Sequence, residues 1–136
     1  MDQDLSEIKS RIEALAEKLG APPHLLPTYG YSEESARPEI QRDARGYHFV
    51  VSERGNETER HTSFDLDEIL YHVFDGVTFD MACTYAKYHR KKQQDFRRSL
   101  FARQEKLLTQ LSSVWGERKR QDHAQVLDKY PFDDKA

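Results

Sequence analysis

The chain has 136 residues, a third of them charged (33%), and a mean hydropathy of −0.90. This composition is typical of one soluble domain, expected to cover residues 1–136. It excludes a bilayer-spanning protein, because no apolar run approaches the ~18 residues that a spanning helix needs. The sequence begins with no signal-peptide pattern, and its one cysteine, Cys83, cannot form an internal disulfide. A cytoplasmic location is therefore expected.

The net charge of −3 conceals an uneven distribution of charge. Residues 1–80 carry 8 Lys and Arg against 17 Asp and Glu, whereas residues 81–136 carry 13 against 7. Two interpretations remain open. Either the halves compensate each other's charge, or the acidic half presents a surface to a basic partner.

The first predicted element is a helix from Leu5 to Leu19 with one apolar stripe. Asp4 followed by Glu7 resembles a capping box, and Gly20 favours a left-handed stop. Three prolines then exclude regular structure, so we expect residues 28–38 to form an ordered loop.

Three short strands are predicted next. They are Glu39–Asp43, Tyr47–Glu53, whose apolar residues alternate, and Glu57–Thr62. Tight turns are expected at Gly46 and Gly55, which favours an antiparallel meander.

The rest of the chain is predicted to be helical. Asp65 is a plausible N-cap for a helix that ends at Gly76, and Thr78 can cap a long helix from Val77 to Leu111, which contains neither Gly nor Pro. A final helix begins near Trp115. The fold expected is α+β: an N-terminal helix, a three-stranded antiparallel meander, then a helix and a long C-terminal helical hairpin packed on the sheet.

The long helix has a polar interruption in its predicted apolar face, formed by Arg90, Gln93 and Arg97. An unpaired buried charge is costly, so we expect a structural polar network in which carboxylates pair with both arginines. Glu53 is the preferred partner.

The helix from Asp65 carries four residues opposite its apolar stripe: Asp67, Glu68, Tyr71 and Asp75. They are the candidate partner-binding residues, since tyrosine among charges is a common interface composition. The alternatives are an ordinary solvated face, or a Tyr71 that packs under the sheet or the 28–38 loop.

No catalytic, cofactor or metal motif is recognised. The six histidines lack metal-ligand spacing, and neither a phosphate loop nor a serine elbow occurs. The protein is therefore predicted not to be an enzyme, although an unfamiliar site around Arg90 and Arg97 is a third option. The runner-up function is a small nucleic-acid-binding regulatory protein that uses the basic long helix.

Several motifs follow one another in a defined order along the chain. They are Tyr47-x-Phe49-Val50-x-x-Glu53-Arg54-Gly55, Asp67-Glu68-x-x-Tyr71-x-x-Phe74-x-x-x-Thr78-x-x-x-Ala82, Arg90, Gln94-Asp95-Phe96-Arg97-Arg98-x-x-Phe101, Trp115-x-x-Arg118 and Pro131-Phe132. Their order and spacing resemble the immunity protein 63 family of bacterial polymorphic toxin systems, over nearly the whole chain.

This resemblance implies a non-enzymatic, cytoplasmic α+β antitoxin that binds and neutralises a cognate toxin domain. It needs no cofactor, and it marks no binding residue. Many such toxins are nucleases with basic substrate channels, towards which an acidic inhibitor surface would be steered. Neither a nucleic acid nor a membrane is then expected as a partner, and the oligomeric state is left open.

Overall fold

The computed structural model describes residues 4–135, and it confirms the α+β class. The helices and strands follow in chain order, with a single 3-10 turn at Pro23–Leu25 between the first two. They are α1 (Ser6–Leu19), β1 (Thr28–Tyr29), β2 (Glu39–Asp43), β3 (Gly46–Glu53), β4 (Asn56–Ser63), α2 (Leu66–Tyr88), α3 (Phe96–Leu111) and α4 (Ser113–Lys129).

The chain divides into two compact units, residues 1–77 (unit 1) and residues 78–136 (unit 2). The boundary falls inside α2. Unit 1 carries 8 Lys and Arg against 16 Asp and Glu, a net charge of −8, and unit 2 carries 13 against 8, a net charge of +5. None of the helices in the described chain is both long and apolar enough to cross a membrane.

Unit 1 contains a four-stranded sheet of order β1-β2-β3-β4. The predicted meander is confirmed, because β2, β3 and β4 pair antiparallel in sequence order. The short parallel strand β1 is an addition to the prediction, since it lies within the segment expected to be a loop. Backbone hydrogen bonds hold β1 against β2. The Thr28 N–H donates to the carbonyl of Pro38, which directly precedes β2, and the Gly30 N–H donates to the Ile40 carbonyl, each at 2.9 Å.

The turns of the meander lie where glycine predicted them. Gly46 has φ +116° and Gly55 has φ +80°, conformations that L side chains rarely adopt. A Cβ atom at Gly46 would also lie 2.7 Å from the Ser63 carbonyl oxygen. Glycine at this turn is therefore required both by the backbone angle and by the approach of β4.

Helix α1 confirms the predicted N-terminal helix and its stop, since Gly20 adopts φ +69°. The predicted capping box is not formed, because Leu5 occupies the N-cap position and its side chain makes no capping hydrogen bond. Asp4 instead accepts a hydrogen bond from the Ser6 N–H at 2.9 Å. The buried stripe of α1 comprises Ile8, Ile12 and Ala16.

Helix α2 does not end at Gly76, which corrects the prediction of two separate helices at this point. Gly76 is exposed within the helix, and Thr78, expected as a cap, is fully buried in the helix interior. The start of the helix is as predicted. Asp65 accepts a hydrogen bond from the Asp67 N–H at 3.0 Å.

The long helix predicted from Val77 to Leu111 is also wrong, because helical structure stops after Tyr88 and resumes at Phe96. Asp95 caps the new helix and accepts a hydrogen bond from the Arg97 N–H at 2.9 Å. Gln93 lies in this break with φ +56°. Neither glycine nor proline marks the interruption.

Unit 2 packs α3 against α4 as a helical hairpin, and Ser112 caps α4. Trp115 is buried. A buried apolar cluster is formed by Ala82, Ala86 and Leu100. Three partly buried residues pack against it: Cys83, Phe96 and Phe101. Elsewhere in unit 2, the buried Gln104 amide donates to the Thr78 hydroxyl at 3.3 Å.

Candidate partner-binding surface

Two stacked histidine rings join β4 to α2 within unit 1. The centroids of His61 and His72 are 3.7 Å apart, with the ring planes inclined by 9°. Each ring contacts a carboxylate through Nε2, His61 with Glu59 at 2.8 Å and His72 with Glu68 at 3.1 Å. This cluster places the acidic side chains of a strand and a helix beside one another.

The strand register explains how His61 reaches the helix. His61 is the cross-strand partner of Phe49 in β3, so both side chains project from one face of the sheet. The Phe49 ring lies 6.0 Å from the His61 ring and 6.2 Å from the His72 ring. Because Phe49 is buried, it forms an apolar base that fixes both imidazoles.

The N-terminal turn of α2 concentrates negative charge on the same surface. Asp65 caps the helix, and Asp67 and Glu68 follow in its first turn. Carboxylates are stabilised here by the exposed backbone N–H groups and by the helix dipole. The acidic residues are thus compatible with the fold before any partner is considered.

The four predicted partner-binding residues do not form one exposed group. Asp67 is exposed, Glu68 and Asp75 are half-buried, and Tyr71 is only 2% exposed. The expectation of an exposed Tyr71 is therefore wrong. Tyr71, Phe74 and Thr78 form a second buried stripe at helical spacing, so α2 is buried over more of its circumference than one apolar face requires.

The predicted polar network is not formed. Arg90 and Gln93 are exposed in the break after α2, and Glu53 is exposed at the end of β3. Arg97 is half-buried, but its partner is Asp95, at 2.9 Å, rather than Glu53.

The C-terminal segment supplies the other contacts of this ion pair. Arg97 also donates to the Tyr130 and Pro131 carbonyls, each at 2.8 Å. Hydrogen bonds from the Arg97 side chain and from the Asp133 N–H hold the pKa of Asp95 well below its usual range.

A third histidine is buried on the opposite face of the sheet. His48 Nε2 lies 2.8 Å from Asp43, and its Nδ1 lies 2.7 Å from the Thr62 hydroxyl. The hydrogen bond from His48 lowers the pKa of the Asp43 carboxyl. Both imidazole nitrogens are occupied, so the group fixes the β2–β3 turn against β4.

The described residues, 4–135, contain no group of three or more His, Cys, Asp or Glu side chains able to hold a metal ion. The arrangement of unit 1 can present charge and apolar area to another molecule.

The sequence pattern did not single out the exposed aromatic residue at the start of α2. Phe64, between β4 and the cap Asp65, is 78% exposed. An apolar residue before an N-cap often packs against the first turns of the helix. The exposure of the Phe64 ring shows that Phe64 does not pack in this way. The position of Phe64 directly before the acidic first turn of α2 is the sequence feature that could have indicated an exposed aromatic residue.

Comparison with protein families places residues 43–125, more than half of the chain, in the family described as Immunity protein 63. The matched stretch includes β3, β4, the whole of α2 and α3, and most of α4. Comparisons with curated proteins and with solved structures gave no match. On the family match, the chain belongs to the immunity protein 63 family.

Proposed function

We propose that this protein is an immunity protein that binds a cognate toxin domain in the cytoplasm of the producing cell and neutralises it stoichiometrically, without catalysis. Membership of the immunity protein 63 family is the observation that carries the proposal. Such a role requires a stable surface complementary to the toxin. It requires no reactive group.

The acidic surface of unit 1 is our candidate for toxin binding. We draw this surface from accessible residues of β4 and the start of α2, in a unit of net charge −8: Glu59, Phe64, Asp67 and Glu68. The exposed phenylalanine takes the anchoring role that the sequence assigned to Tyr71. An aromatic ring surrounded by charge is a frequent centre of binding energy.

The charge of this surface suits a toxin with a basic face, such as a nuclease whose channel binds phosphates. Complementary charge accelerates association, and burial of an apolar ring slows dissociation. Asp75, half-buried further along α2, belongs to the edge of the proposed surface. Tyr71 contributes by supporting the helix from within.

Co-expression with the candidate toxin from the same locus tests the proposed function. Growth should be rescued by the wild-type protein, and the two purified proteins should form a stable complex. Failure of both rescue and complex formation would refute the proposal.

Single substitutions then locate the surface. Phe64→Ala should weaken binding by about 2 kcal/mol, because it removes the proposed anchor. Tyr31→Ala, at a site 59% exposed in the same unit, is the matched control and should leave affinity unchanged. Equal affinities for the Phe64→Ala and wild-type proteins, with equal melting temperatures, would place the interface elsewhere.

A further inference from the structure

Unit 2 carries a groove of about 300 Å³ beside the end of α2. Its polar walls combine one tyrosine, two neutral polar residues and three cations, and we call it the basic groove. These residues are Tyr85, Gln94, Ser99, Arg98, Arg103 and Lys106. Among the residues that the structure describes, no carboxylate lines the groove, so every charged group described at its wall is positive.

Two of the three cations are not neutralised within the described chain. Arg98 is bridged by both oxygens of Asp134, at 2.8 and 2.9 Å. By contrast, no carboxylate of residues 4–135 lies within ion-pair distance of Arg103 or Lys106. These two residues are one turn apart on α3, on the same face of the helix.

The Tyr85 ring positions Arg103. The guanidinium carbon of Arg103 lies 4.2 Å from the Tyr85 ring centroid, and the His89 ring stacks on Tyr85 at 4.0 Å. Two groups this close to one ring must occupy its opposite faces. A stacked guanidinium keeps its in-plane N–H donors available for a carboxylate, and its geometry is fixed in advance.

The surroundings of the basic groove extend its positive field. Arg90, Lys91 and Lys92 are exposed in the break that follows α2, and unit 2 as a whole carries +5. Concave surfaces lined by one sign of charge raise the local concentration of opposite charge. These charges favour an anionic ligand.

We propose that the basic groove binds carboxylate side chains of an acidic segment of the toxin partner, with Arg103 and Lys106 as the two recognising residues. This inference rests on the proposed function and names a second contact for the same partner. The arginine fork matches a carboxylate through two parallel N–H donors, and the lysine supplies an adjacent point charge.

An acidic protein segment fits this groove better than a nucleic acid does. Binding to single-stranded nucleic acid relies on aromatic faces on which successive bases stack. Both faces of Tyr85 are already covered, by Arg103 and by His89.

The test uses the full chain and a fluorescent poly-glutamate peptide as the probe. The variant Arg103→Glu/Lys106→Glu reverses both charges of the groove. Its control, Lys129→Glu/Lys135→Glu, makes the same change in net charge at exposed positions of unit 2. We expect at least a ~10-fold loss of peptide affinity for the groove variant and less than ~2-fold for the control, because close charge pairs outweigh screened ones.

Arg103→Gln/Lys106→Gln is measured alongside, since it keeps the length of the side chains and avoids new carboxylates beside Glu105. It should also weaken peptide binding. Equal losses in the groove and control variants would overturn the proposal, because they would reflect net charge alone. A peptide that does not bind the wild-type protein would overturn it as well.

A parallel titration with a single-stranded oligonucleotide decides between the two classes of anion. Tighter binding of the oligonucleotide than of the peptide, lost in the groove variant, would replace the proposal with nucleic-acid binding. Failure of toxin rescue by the wild-type protein would refute the proposed function, whereas the peptide titration judges the groove independently. A groove variant that still binds the toxin with full affinity would also contradict this inference.

Discussion

The stretches around Gly76 and Gln93 behave in opposite ways. Helix α2 continues through Gly76, whereas helical structure stops between Tyr88 and Phe96, where neither glycine nor proline is present. Glycine costs a helix about 1 kcal/mol relative to alanine, which the burial of α2 on both sides of Gly76 easily outweighs. Helix propensity therefore explains neither the continuation of α2 through Gly76 nor the break between Tyr88 and Phe96.

The break around Gln93 is fixed by contacts with the end of the chain. Asp95 accepts the Asp133 N–H at 2.8 Å, and the Asp95 N–H donates to the Asp134 carboxylate at 2.9 Å. These hydrogen bonds cap α3 and occupy backbone groups that a continuous helix would use within itself. Interactions with residues nearly 40 positions away thus decide where the helix begins.

Asp95→Ala should break this arrangement and destabilise the protein strongly. It removes the acceptor of the Arg97 and Asp133 N–H groups and leaves the Arg97 guanidinium without its carboxylate. Thermal denaturation should show a lower melting temperature, and hydrogen exchange should speed up at the start of α3. The control Asp128→Ala removes an exposed carboxylate of α4 and should change neither.

The same carboxylate makes stability depend on pH. Hydrogen bonds from Arg97 hold the folded-state pKa of Asp95 below its unfolded value of about 3.9. Its contribution to stability is therefore complete above the unfolded value and is lost as the pH falls from that value through the lower, folded-state pKa. The difference in unfolding free energy between the wild-type and Asp95→Asn proteins should shrink as the pH falls through that range. A difference that stays constant would contradict this account.

Gly116→Ala should lower the free energy of unfolding by about 2 kcal/mol, because overpacking displaces neighbouring groups. Gly116 lies where α4 crosses α3, and an added Cβ would lie 3.0 Å from the Thr109 Cα and overlap the Thr109 hydroxyl. Chemical denaturation measures this loss. An unchanged midpoint would mean that the hairpin can open at no cost.

Gly76→Ala is the matched opposite and should raise the free energy of unfolding by about 1 kcal/mol. Gly76 is also helical, but it is exposed, and among the described residues no atom beyond its chain neighbours and the local helix backbone would lie within 4 Å of the added methyl group. The same denaturation experiment applies. If the change destabilises the protein, then glycine is needed at this point of α2 for a reason other than packing.

Gln93→Gly should give the smallest effect, a gain of about 0.5 kcal/mol, because relief of a left-handed backbone exceeds the entropy that glycine loses on folding. Gln93 has φ +56°, whereas its neighbour Gln94 is not left-handed. Gln94→Gly should consequently destabilise the protein slightly. Opposite signs for the two glycine variants, measured by denaturation, would confirm that the break has a fixed conformation.

The parts of the fold that the sequence predicted correctly are those controlled by nearby residues. Gly20, Gly46 and Gly55 take positive φ angles that mark the end of α1 and both turns of the meander. The stop of a helix at Gly20 and the hairpins at Gly46 and Gly55 need no information from elsewhere in the chain.

The parts that were predicted wrongly depend on distant contacts. The break before Asp95 follows from Asp133 and Asp134, which no local pattern reveals. A single apolar stripe is enough to predict α2, and it would leave Tyr71 on the surface. In the structure, a second stripe that contains Phe74 is buried as well. Side-chain burial on a helix packed on two sides cannot be read from a single stripe.

The half-buried position of Cys83 has a practical consequence for chemical labelling. Burial raises the pKa of its thiol, so the reactive thiolate is scarce at neutral pH, and packing against the cluster of Ala82, Ala86 and Leu100 restricts the approach of reagents. A cysteine introduced in place of Tyr88, which is 80% exposed, would therefore react with maleimides much faster than the native one. A single fluorophore can thus be attached to the end of α2 in the otherwise unmodified chain.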